Sequence, residues 1–145
     1  YFALGMNLQE LYIAPNNPDT GEALMTDEFW DILAEAAKWA RANEDVLVDA
    51  HWVGGNPGDG QVYGVASWNP TKATLMLRNP SDQPQSIDIE PVAHFEIPKH
   101  EKIRTFVMKS PWADEADKPA VTLTAGEVHR FELEPFQVMV LERDE

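Results

Sequence analysis

Between Thr26 and Asn43 the apolar residues Phe29, Leu33, Ala36, Ala37 and Ala40 recur at three- and four-residue spacing, and Trp30 and Ile32 widen the stripe. This is the period of an amphipathic helix lying on a larger body. Thr26 is placed to cap the first turn. Asp27 and Glu28 sit where the helix dipole favours negative charge, and Lys38 and Arg41 where it favours positive charge. Ahead of this helix, Leu8 to Ala14 forms a short apolar run, closed by the turn-rich residues Pro15 to Gly21. Strand, loop and helix in that order make one βα unit. A parallel strand needs neighbouring βα units, and the rest of the sequence contains none, so the neighbours are expected upstream.

From Val46 onward the pattern changes to short β runs broken by turn residues. Strands are predicted at 46–52, 61–69, 72–78, 85–90, 93–97, 102–109, 120–124, 128–133 and 136–142. Alternation is clear in two of them. Ala73, Leu75 and Leu77 oppose Thr74, Met76 and Arg78, while Phe136, Val138 and Val140 oppose Gln137 and Met139, so one face of each strand is expected to be core. The fold class expected is mainly β, an antiparallel sandwich over 46–145 preceded by a helical segment over 1–45. Ser110 to Pro119 is the most polar stretch and reads as a surface loop.

Composition narrows the chemistry. The 145 residues are 43% hydrophobic and include no cysteine, so a core can form without disulfides, and a thiol nucleophile is excluded. Eleven basic residues against twenty-five acidic ones give a net charge of -14. Such a chain repels phosphate backbones and anionic lipid, so neither nucleic acid nor a membrane is an expected partner, whereas neutral sugars meet no such barrier. No apolar run reaches the roughly 18 residues of a transmembrane helix. The opening Tyr1-Phe2-Ala3-Leu4-Gly5-Met6 lacks an initiator methionine and a basic leader, which reads as a piece of a longer protein.

Several blocks resemble a known family. Leu8-Gln9-Glu10-Leu11-Tyr12, Ala36-Ala37-Lys38-Trp39-Ala40-Arg41-Ala42-Asn43, Asp49-Ala50-His51-Trp52-Val53-Gly54-Gly55-Asn56-Pro57 and Val62-Tyr63-Gly64-Val65-Ala66-Ser67-Trp68-Asn69 are similar to the C-terminal end of bacterial glycoside hydrolase-like proteins. These are relatives of the α-galactosidases, or melibiases, some of them labelled enterotoxin. Leu75-Met76-Leu77-Arg78-Asn79-Pro80 and Leu133 to Leu141 resemble the same proteins' terminal β domain. The resemblance implies that residues 1–45 are the last strand and helix of a (β/α)8 barrel and that 46–145 are the accessory sandwich packed on it. It also implies that the two catalytic aspartates lie on barrel strands outside this sequence. No catalytic residue, metal or cofactor is therefore expected in this chain, and the carbohydrate theme implies a periplasmic or extracellular location.

Candidate contacts follow from local chemistry. Glu10 lies late in the presumed barrel strand, near the face where such barrels hold substrate, although Tyr12 and Ile13 follow it and favour a carboxylate bonded to local amides. Asp49 and His51 are two apart and point to one side of a strand, where a carboxylate orients an imidazole. One histidine makes no metal site. Asp49 and His51, with Trp52 and Trp39, are therefore expected at the seam between barrel and sandwich. Asn17, Asp19, Gly21 and Glu22 mimic part of a calcium loop but lack its full spacing, and read as a solvated turn. Trp112, alone in a polar loop, is the candidate platform for a sugar ring. Ser67 lacks a glycine elbow, and no phosphate-cradling loop occurs. Two other functional classes stay open: an autonomous carbohydrate-binding module, and a module that dimerises through the exposed helix face.

Overall fold

The computed structural model describes residues 1–6, 16–17, 19–102 and 104–143. Among the described residues, eight antiparallel strands form two sheets. The larger has the order β1 (Ala50–Gly54), β2 (Tyr63–Trp68), β3 (Ala73–Arg78), β8 (Val138–Arg143), β5 (Thr105–Lys109) and β6 (Val121–Thr124); the smaller pairs β4 (Gln85–Ile89) with β7 (His129–Leu133). The main core lies between them. Val53, Leu75, Leu77, Phe106, Met108, Leu123 and Leu141 face Ile89, Phe131 and Leu133 across the gap. The predicted mainly β, antiparallel architecture is the one observed.

A third layer rests on the opposite face of the six-stranded sheet. It consists of a short turn at Phe2–Leu4, helix α1 (Asp27–Ala42) and helix α2 (Glu44–Leu47). Thr26 caps α1 as expected, its hydroxyl accepting the Phe29 amide at 3.4 Å. Ala3, Trp39, Val46 and Leu47 bury themselves on Val65, Met76 and Val140. Two polar ties reinforce this seam. Lys72 Nζ donates to the Ala42 carbonyl at 2.7 Å, at the negative end of α1, and lies 2.6 Å from Asp45. The Lys72 ammonium holds the Asp45 carboxyl below its ordinary range, with Asn69 also donating to it.

The structure corrects four sequence expectations. Val46 and Leu47, placed at the start of the first strand, form a helical turn instead, and β1 begins at Ala50. The expectation of one buried face fails for β3, where Thr74 and Met76 are buried as well as Leu75 and Leu77, because helices cover one face and β4 and β7 the other. In β8 the inward set is Met139 and Leu141, while Val138 and Val140 point to the helix side. Finally, the predicted strand 93–97 is a helical turn, α3 (Pro91–His94), because Pro91 starts a helix well and the Glu90 carboxylate caps it.

Candidate functional site

Strand β1 carries the residues with the densest chemistry. Alternation sends His51 and Val53 to the inner side and Ala50, Trp52 and Gly54 to the helix side. His51 therefore meets Glu96 of the segment after α3: its Nδ1 lies 3.3 Å from Glu96 Oε1, and its Nε2 lies 3.4 Å from Asp49 Oδ1. The expected Asp49–His51 pair thus forms, and a second carboxylate completes a line of three groups. Both ring nitrogens face carboxylates, which fix the plane of the imidazole between Asp49 and Glu96. Glu96 is held at φ 50°, a conformation unusual for a non-glycine residue.

Trp52 leaves the strand on the other side. The register places Gly54 directly opposite Tyr63 and Trp52 opposite Val65. Gly54 has no side chain to fill the space beside Tyr63, and the indole of Trp52 folds diagonally across it. The two rings stack at 5.1 Å between centroids and 7° between planes. Gly54 is held there by its own backbone, with φ 84° and a Cβ position 2.5 Å from the Val62 carbonyl oxygen. Tyr63 Oη accepts a hydrogen bond from Arg78 Nη1 at 3.3 Å. Arg78 in turn lies opposite Val138 of β8. Trp52 and Val138 remain 54% and 55% exposed. An aromatic and apolar strip with one guanidinium thus crosses four strands beside the helix layer.

Trp112 lies elsewhere. The polar loop does not leave it free: its ring is half-buried, packed at 5.7 Å and 59° on Trp39. A small depression of about 190 Å³ lies around it, lined by Ser110, Pro111, Glu115 and Lys118 among others. Glu115 is held below its ordinary range by hydrogen bonds from Lys118 and Ser110. Trp39 is buried, and its Nε1 donates to Glu142 Oε2. Of the expected seam residues, Trp39 joins helix to sheet within this chain, whereas Asp49, His51 and Trp52 sit at the free edge of β1. Glu10 lies outside the described residues.

The calcium-like segment closes on itself: Asn17 Oδ1 accepts the amides of Asp19 and Thr20 in an Asx turn. Around Asn56 the side chain does the same for the hairpin, accepting the Gly58 amide and donating to Asp59. Among the described residues no three metal-ligating side chains converge.

A groove of about 830 Å³ runs between the N-terminal turn and the helices, lined by Phe2, Met6, Ala37, Ala40 and Leu47 with Arg41 and Glu44 at its rim. Beyond it, the first half of α1 leaves Phe29, Trp30 and Ile32 exposed. Sequence reasoning missed Tyr63, Arg78, Glu96 and Glu142. Alternation in β2 already set Tyr63 on the same side as Val65, but the pairing with Trp52 and Arg78 needed the hairpin registers.

No protein-family model matches this chain, and no curated protein sequence does. Its fold does match solved structures. A candidate alpha-N-acetylgalactosaminidase from Bacillus halodurans C-125 superposes with a TM-score of 0.53 at 19% identity, over 81% of this chain and 25% of that one. The chain therefore spans about a quarter of that protein's length. AmyP, solved with maltotriose and with maltose, gives a TM-score of 0.47 in both structures, at 9% and 10% identity and over 24% and 23% of its length. The first of these likenesses shows the fold: this chain shares its β-sandwich with a quarter of that much longer protein.

Proposed function

We propose that this chain is the non-catalytic accessory domain of a carbohydrate-active protein of the α-galactosidase-like type, packing on a catalytic (β/α)8 barrel and stabilising it. Residues 1–45 contribute the barrel's last strand and helix, and the sandwich follows. The observation that carries this reading is the fold shared with one quarter of a much longer glycoside hydrolase-type protein. The exposed Phe29, Trp30 and Ile32 support it, because an apolar helix face of this kind is the surface a barrel neighbour covers. The chemistry then belongs to carboxylates of the barrel, and the parent works on sugars outside the cytoplasm.

The test is to translate the coding sequence upstream of Tyr1 and express the whole product. A barrel of about 250 residues with alternating strand and helix periods is expected there. In that product, Trp30→Ser with Ile32→Ser lowers the melting temperature while leaving the sandwich folded. An upstream sequence without βα periodicity overturns the reading. So does a helix face that tolerates both substitutions without loss.

A further inference from the structure

We propose that the strip formed by Trp52, Tyr63, Arg78 and Val138 is a binding platform for a neutral oligosaccharide. Four observations carry it. The indole of Trp52 is more than half exposed, yet one of its faces is fixed against Tyr63 by a nearly parallel stack, which leaves the opposite face open. The ring beneath is itself held, since Tyr63 is half-buried and its hydroxyl is anchored by Arg78. An aromatic face held in place before binding loses little rotamer freedom when a ligand arrives. The apolar C–H face of a pyranose is the natural cover for such a ring.

The flanking groups select among ligands. Among the described residues, the only side-chain hydrogen bond of Arg78 is to Tyr63, so most of the five guanidinium donors stay open to hydroxyl oxygens. The net charge of -14 disfavours polyanions over the whole surface, and of the four side chains of the strip only Arg78 is charged; the Tyr1 ammonium lies near it, and the hydroxyl oxygens of a neutral polyol can accept from either group. Length suits a short chain of sugars: four adjacent strands span about 14 Å at ~4.8 Å per spacing. A protein partner is a poor fit, because four side chains fall far short of the roughly 800 Å² per partner of a stable protein interface.

The platform needs no barrel, so its failure and the failure of the accessory-domain reading are separate results. The experiment uses the 15N-labelled chain, with the five indole N–H signals assigned by single Trp→Phe variants. Cellotetraose, xylotetraose, mannotetraose and lactose are titrated to millimolar concentration. The expected result is a saturable shift of the Trp52 signal with at least one probe, while the Trp39 signal stays in place. Trp52→Ala should weaken that binding about tenfold or more, and Arg78→Met should weaken it by a smaller factor. The far-ultraviolet spectrum of both variants should match the parent, since both sites are exposed. A response centred on Trp112, a response unchanged by Trp52→Ala, or no response to any of the four probes overturns the proposal.

Discussion

The indole N–H of Trp39 in α1 donates to the Glu142 carboxylate of β8 at 2.8 Å, joining residues 103 positions apart. Asn43 converges on the same oxygen at 3.3 Å while also donating to the Trp39 carbonyl. One carboxylate thus fastens the helix layer to the middle of the sheet, with Val65, Met76 and Val140 closing the apolar seam beside it. Removing it leaves a buried indole donor unpaired. Glu142→Ala is expected to destabilise the fold by about 1–3 kcal/mol, and Glu142→Gln by less because its amide oxygen still accepts. Urea denaturation of the two variants against the parent measures the difference. Equal stability of all three would mean that the contact contributes nothing.

Glu90 performs a similar task at the far end of the molecule. Burial alone would raise its carboxyl, but the amides of Gly126, Val92 and Ala93 outweigh that and hold it below its ordinary range. It caps α3 and ties it to the turn between β6 and β7. A carboxyl depressed in the folded state stabilises fully above its unfolded value, and that contribution is lost as pH falls through the folded value. The stability gap between the parent and Glu90→Gln should therefore be widest at neutral pH, about 1–3 kcal/mol, and narrow on acidification. Chemical denaturation at a series of pH values from neutral to strongly acid tests this. A gap independent of pH would refute it.

Gly64 faces Leu77 of β3, and a Cβ there would run into the Met76 carbonyl oxygen. Backbone cannot move aside inside a strand paired on both edges, as β2 is. Gly64→Ala should separate β2 from β3 and prevent cooperative folding, which circular dichroism and a flattened denaturation curve would show. A cooperative variant within about 1 kcal/mol of the parent, the size of an ordinary substitution, would contradict it.

Phe136 offers the opposite case. It precedes β8 at φ 58°, in the left-handed region, and is 62% exposed. A left-handed conformation costs a residue with a Cβ roughly 1–2 kcal/mol, whereas glycine adopts it freely. Little burial is lost on removing the ring, so Phe136→Gly should leave stability unchanged or raise it by up to about 1 kcal/mol. Thermal melting decides the sign, and a clear fall would show that the ring has an apolar contact of weight.

Local pattern carried the elements well. The span of α1, its Thr26 cap and eight of the nine strand segments are legible because spacing and capping act within a few residues. One segment was missed and one began too early. The run around Val92 to Ile97 looked like a strand by its apolar content, but Pro91 and the Glu90 cap turned it into helix. Val46 and Leu47 looked like a strand start, and are drawn into a helical turn by the apolar seam against Val65 and Met76.

The candidate site was less legible. The sequence alone marked Asp49 and His51 as a same-side pair, since a two-residue offset on a strand can point nowhere else. It could not supply Glu96, which arrives from more than forty residues away in the chain, or Arg78, which reaches Tyr63 only through the β2–β3 register. The full exposure expected of Trp112 is not met for the same reason: a polar loop suggests exposure, but where the loop lies is set by contacts with α1, and there the half-buried ring meets Trp39.

What the sequence by itself determined is the β-rich class, the capped helix and the sign of the surface charge, all of which follow from short-range periodicity and composition. Only the tertiary structure decided which face of β3 and β8 meets which layer, that Trp39 is an internal clasp, and that Trp52 and Tyr63 stack in the open. Those outcomes depend on strand register and layer order, where a shift of one residue moves a side chain from one face to the other.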